Sequence, residues 1–172
     1  MNILDNKDLW AKTFHEGWLA QFQRTGKFYW DAYVRPRNQT PVPGAAVDLR
    51  SSRLMFITSA GGYLPESQKP FDAGNPLGDY AIRVFPATTP FEKIAYSHEH
   101  YDHSAVNEDP QVLLPLGHLN KMVSEGKIGD LTQVVSFMGY QPDVARLLDE
   151  TFPAILKVAQ EEEAQAAFLV PS

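Results

Sequence analysis

Leu54-Met55-Phe56-Ile57-Thr58-Ser59-Ala60-Gly61-Gly62 is a short apolar run that stops in a small-residue turn. Five consecutive residues without polar alternation fit a strand buried on both faces, the kind found inside parallel sheets. The serine and two glycines that follow fit a tight turn. Tyr80 to Phe85 is expected to form a second strand, Ile94 to Ser97 a third and Gln133 to Phe137 another, stopped by Gly139. Ala166 to Val170 is a final apolar strand ending at Pro171-Ser172. Leu116 to Ser124 has helical character. After Pro142, Asp143 is a suitable N-cap for a helix whose apolar face runs Val144, Leu147, Leu148, Thr151, Phe152, Ile155 and Ala159. Pro153 lies inside that pattern and is expected to kink or split it. Strands and helices in alternation predict an α/β fold, a single three-layer domain with a mainly parallel sheet flanked by helices.

Before this region, Leu9, Trp10, Phe14, Trp18 and Phe22 recur at helical spacing, and Gly26 is placed to end that helix. An aromatic cluster of Phe28, Tyr29, Trp30 and Tyr33 follows, suited to be an interaction surface or a cover for the core edge. Arg35, Pro36, Arg37, Pro41 and Pro43 then mark a loop. The division expected is an N-terminal helix with an aromatic, proline-rich arm over residues 1–52 and an α/β domain over residues 53–172.

The 172 residues suffice for one full hydrophobic core, with 44% hydrophobic and 21% charged residues. A net charge of -6 argues against nucleic acid and against an anionic membrane as partners. There is no internal repeat, no apolar run long enough to span a bilayer, and no signal-peptide pattern at the N-terminus, so a cytoplasmic protein is expected. The cysteine count is zero, which excludes disulfides, thiolate nucleophiles and thiolate metal ligands within these residues.

The chemistry-bearing cluster is Ser97-His98-Glu99-His100-Tyr101-Asp102-His103. Three readings stay open. Neutral imidazoles and a carboxylate suit Zn or Fe, and His98, His100, Asp102 and His103 resemble the His-x-His-x-Asp-His site of metallo-β-lactamase-fold hydrolases, although His118 is the only later histidine available to complete it. A polar loop whose side chains bond one another is the bland alternative. The third is a proton-transfer and substrate-binding site, in which His98 or His100 serves as acid/base and Asp102 holds an imidazole tautomer. Ligands of open α/β sheets bind beyond the carboxyl ends of the strands. Ser59 to Gly62, His98 to His103 and Pro171-Ser172 are all expected at such ends. Gly61 and Gly62 are candidates to let backbone approach a substrate carboxylate.

Several blocks in order resemble the selenoprotein B family of glycine/sarcosine/betaine and D-proline reductases. They are Ser59 to Leu64, Pro70-Phe71-Asp72, Gly78-Asp79-Tyr80, Arg83 to Pro86, Ser97 to Asp102, Glu108 to Leu116, Glu125 to Gly129, Ser136-Phe137-Met138-Gly139-Tyr140 and Leu169 to Ser172. The resemblance covers about residues 53 to 172. It implies reductive cleavage of a carbon–nitrogen bond in a small amino-acid-like substrate, within a complex of partner subunits. It also implies a selenocysteine or cysteine nucleophile just beyond the strand that here reaches Ser172. The site it points to is His98, His100 and Asp102 for proton transfer, with Ser59, Gly61, Gly62 and Tyr101 on the substrate. Three explanations are compatible with the absent nucleophile: a selenocysteine codon read as a stop, a nucleophile on a separate chain, or a short homologue that kept only binding.

Overall fold

A computed structural model describes residues 3–38, 44–98 and 103–172. The fold is α/β. Its centre is a four-stranded sheet in the order β3-β5-β1-β6, built from β1 (Arg53–Thr58), β3 (Arg83–Phe85), β5 (Asp130–Ser136) and β6 (Ala166–Val170). β1 pairs in parallel with β5 on one side and β6 on the other, while β3 is an antiparallel edge on β5. The apolar run of β1 therefore occupies the middle of the parallel part, where both faces are covered. Leu54, Met55 and Phe56 are all buried.

The chain moves from β1 to β5 and then back across β1 to β6. Crossovers between parallel strands are right-handed, so two moves in opposite directions place their helices on opposite faces. The first crossover contains α4 (Leu116–Ser124), whose Leu116 and Leu119 join Leu54, Phe56 and Val134 in the main core. The second contains the long C-terminal helix. Asp143 caps its start, its carboxylate accepting from the backbone of Ala145 and Arg146 at 3.1 and 3.2 Å. Pro153 falls at a division of this helix, as expected of a proline inside the pattern. The turn before it, Leu147–Thr151, widens to π-helical spacing, and α6 (Phe152–Glu161) starts afresh with the proline in its first turn. A proline there sacrifices no intrahelical hydrogen bond, and α5 (Val144–Arg146) keeps its cap.

Two expected strands differ from the structure. Residues 80 to 82 do not join β3, because Tyr80 is claimed elsewhere: its carbonyl accepts from Thr151 Oγ1 at 2.8 Å and its hydroxyl from the Asp143 amide at 2.8 Å. Ile94 to Ser97 contributes only β4 (Ala95–Tyr96), which pairs with β2 (Gly62–Tyr63) in a separate small hairpin. His98 thus follows a hairpin strand and not a strand of the main sheet.

The N-terminal helix runs through α1 (Lys7–Thr13), a π-helical stretch Phe14–Leu19 and α2 (Ala20–Thr25), and Gly26 ends it at φ 65°. Trp10, Phe14 and Trp18 stack along it and pack with Leu4 against Tyr33, Val144, Ala145 and Leu148. This second core joins the N-terminal helix to the start of the C-terminal helix. The loop expected around Pro41 and Pro43 lies in part outside the described residues. No helix among the described residues is long and apolar enough to cross a membrane.

Candidate functional site at the carboxyl ends of the strands

The three parallel strands deliver Ser59, Phe137 and Pro171-Ser172 to one end of the sheet. Ser59, only 7% exposed, ties two of these ends together. Its hydroxyl accepts from the Ser172 amide at 2.9 Å and lies 3.2 Å from the Ser172 hydroxyl. The Ser172 hydroxyl in turn donates to the Ser59 carbonyl at 3.0 Å. Phe137 donates its amide to the Thr58 carbonyl at 3.0 Å, and Gly61 donates its own to the Phe137 carbonyl at 3.0 Å.

The same bend holds the histidine segment. Ser97 donates its amide to the Gly61 carbonyl at 3.0 Å. Its hydroxyl accepts from the Phe71 amide at 2.9 Å. Gly61 has φ 65°, and a Cβ there would lie 2.7 Å from Met138 Sδ and 3.5 Å from the His98 amide. A glycine at this position allows the sheet end and the histidine segment to close on each other. The blocks 70–72 and 78–83 brace it from outside. The Asp72 amide donates to Asp79 at 3.0 Å, and the Arg83 guanidinium lies 4.3 Å from the centre of the Phe71 ring. Gly78, at φ 81°, passes so close that a Cβ would sit 2.4 Å from the Tyr140 carbonyl.

Between these parts opens a cleft of about 910 Å³. Ser59, His98, Phe137, Gly139 and Ser172 line its floor side, and Phe28, Trp30 and Tyr140 contribute aromatic rings. Ser59, His98 and the end of the last strand are thereby brought together as expected. Gly61 is beside them, but its amide is already bonded to Phe137, and Gly62 is buried in the hairpin. His103 donates Nε2–H to the His98 carbonyl at 2.6 Å. His100, Tyr101 and Asp102 lie outside the described residues, and with them two of the four residues of the metal reading. Among the described residues no group of three metal-ligating side chains converges.

Sequence reasoning missed Asn75 and Tyr140 as cleft residues. It recognised the aromatic arm but not its place. Phe28 and Trp30 cover the edge of the N-terminal core and at the same time face the cleft. Only the docking of the arm on the strand-end loops reveals this, and no local pattern encodes it.

Residues 24–165 match the family model described as glycine/sarcosine/betaine reductase selenoprotein B (GRDB). This chain belongs to that selenoprotein B family. A curated relative, the D-proline reductase subunit gamma of Acetoanaerobium sticklandii, is 29% identical over 123 residues, which cover 71% of this chain and 49% of the relative. The chain thus spans about half the length of the curated relative it matches. No solved structure matches it. The family match covers the cleft lining from Phe28 to Tyr140, while Leu169, Pro171 and Ser172 of that lining lie beyond it.

Proposed function

We propose that this chain is a subunit of a reductase that cleaves the carbon–nitrogen bond of a small amino-acid-like substrate, and that the strand-end cleft holds that substrate. The convergence of Ser59, His98 and Ser172 on one cleft carries the reading. Attack of a selenolate or thiolate on the substrate carbon forms a carbon–chalcogen bond. The nitrogen leaves with the electron pair of the broken bond as a neutral amine, which requires it to start as an ammonium. His98 or His100 serves as acid/base to the leaving amine, with Asp102 orienting the ring. Ser59 and Tyr101 hold the rest of the substrate, beside the bend that Gly61 and Gly62 shape. Residues 1–172 hold no cysteine, so a partner subunit or a segment outside these residues supplies the nucleophile.

Calorimetric titration with glycine, sarcosine, betaine and D-proline, with and without the partner subunits of such a reductase, tests this. Binding of at least one, weakened several-fold by His98→Ala, is expected. Absence of binding to all four under both conditions contradicts the proposal.

A further inference from the structure

The two edges of the main sheet differ. At the β3 edge, Gln68 Nε2 donates to the Val84 carbonyl at 2.8 Å, and the Arg83 guanidinium donates to the carbonyls of Lys69 and Pro70 at 2.8 and 3.2 Å. The segment before β3 thus takes up a backbone group of that edge strand. At the opposite edge, β6 pairs with β1 alone among the described strands. Nothing in β6 guards it. Ala166-Ala167-Phe168-Leu169-Val170 has no charged residue and no proline, and its register with β1 runs without a bulge. Unpaired edges usually carry one of these devices, because a bare row of amides and carbonyls invites another strand. Phe168 and Leu169 are 42% and 57% exposed, so this edge is apolar as well as bare.

The position of the cleft decides which strand fits. Leu169, Pro171 and Ser172 line it, so the carboxyl end of β6 is one of its walls. β1, β5 and β6 run parallel and all end there. A strand added to β6 in the same direction would end beside Ser172, about 4.8 Å away. An antiparallel one would end at the far side of the sheet. What the cleft lacks is a nucleophile, since residues 1–172 hold no cysteine. The chain also spans about half the length of its curated relative, of which the match covers 49%.

We infer that the bare edge of β6 receives a strand of a partner chain, parallel to β6, whose carboxyl end carries a thiol or selenol into the cleft. Ladder hydrogen bonds supply the affinity, and the exposed apolar side chains of β6 supply the fit. The assignment of the thiol rests on the reductase reading above, whereas the edge does not.

The absence of cysteine makes capture at one engineered thiol unambiguous. Ser172→Cys places that thiol at the end of β6. Two peptides built on a short polyvaline strand serve as probes, one with Gly-Cys after the strand and one with Cys-Gly before it, each with lysines at the other end for solubility. Both are supplied as mixed disulfides with glutathione. The variant's thiolate attacks the peptide sulfur, forms the new disulfide and releases glutathione thiolate. Mass spectrometry follows the captured chain.

The peptide with Cys after its strand is expected to be captured about tenfold faster than its counterpart. It should also outpace the same peptide with proline at its centre, which cannot complete a ladder. Ala167→Lys, at an exposed position of the edge, should erase the preference. Leu9→Lys, at a residue 63% exposed on the N-terminal helix, should not. Equal capture of both peptides, faster capture of the one with Cys first, or a preference that survives Ala167→Lys overturns the inference. So does a dimer of the unaltered chain in sedimentation that Ala167→Lys dissolves, because a second copy then occupies the edge. Directional capture without amino-acid binding in the titrations above leaves the edge standing and the reductase reading refuted. Amino-acid binding without directional capture does the reverse.

Discussion

Gly61 shows how much one backbone position carries. Two costs meet there: a left-handed φ, which disfavours any side chain, and the 2.7 Å approach that a Cβ would make to the buried Met138 sulfur. Gly126 has nearly the same φ, 68°, with nothing within 4 Å of a Cβ. The pair separates the two costs. Gly126→Ala is expected to lose about 1 kcal/mol, the conformational part alone. Gly61→Ala is expected to lose about 2–3 kcal/mol and to disturb the His98 segment, since its neighbours are fixed by the sheet. Urea unfolding of both variants measures the difference, and equal losses would show that the Met138 contact is relaxed at no cost. The turn itself was legible in the two glycines. Its service as a carboxylate seat was not decidable from them, because the partner of the Gly61 amide, the Phe137 carbonyl, comes from a strand 76 residues away in sequence and only the parallel pairing of β1 with β5 reveals it.

At the scale of elements, Asp143 links two of them. It caps α5 through Ala145 and Arg146, and it holds His15 of the N-terminal helix, whose Nε2 is 2.9 Å from Oδ2. Asp143→Ala removes cap and tie together and is expected to cost about 2–3 kcal/mol. Asp143→Asn keeps the acceptor of the cap and should cost about half as much. His15→Ala, combined with Asp143→Ala in a double-mutant cycle of urea midpoints, isolates the tie; strictly additive losses would show that it contributes nothing. The cap was legible, as Pro-Asp before an apolar period is a local signal. The π-helical turn Leu147–Thr151 was not, since it reconciles two local demands, the cap at Asp143 and Pro153 in a first turn, that a fixed period of 3.6 residues does not satisfy at once. The same tension between local signals and long-range claims shortened β3. Thr151 takes the backbone carbonyl of Tyr80 before the ladder can.

Across the whole molecule, the alternation of strands and helices made the α/β class legible, and β1, β5, β6 and α4 lie close to their expected places. What sequence order did not contain is how the N-terminal arm closes against the strand-end loops, because that seam is made of contacts between residues 63 to 109 positions apart. Tyrosines mark it. Tyr33 donates to the Pro142 carbonyl at 2.9 Å, the Tyr80 hydroxyl accepts from the Asp143 amide, and Tyr140 donates to the Pro76 carbonyl. Burial pushes all three phenols above their ordinary value of 10.0, and the Asp143 carboxylate adds to the effect on Tyr33 and Tyr80. A group raised in the fold stabilises fully while the pH is below its unfolded value, and that contribution is lost as the pH rises towards the folded one. For these tyrosines the window opens near pH 10.0. Their contribution should be level through neutral pH and fall above that point, as the unfolded chain ionises its phenols and the seam resists doing so. Replacing Tyr33 and Tyr140 by Phe removes two of the three titrations, so the alkaline fall should become shallower even though neutral stability drops with the lost hydrogen bonds. Urea midpoints followed by tryptophan fluorescence from pH 8 to 11 report this directly, since Trp10 and Trp18 lie within the second core. An alkaline slope identical in the parent and the double variant would place the titration away from the seam, and with it the weakest point of the closed cleft.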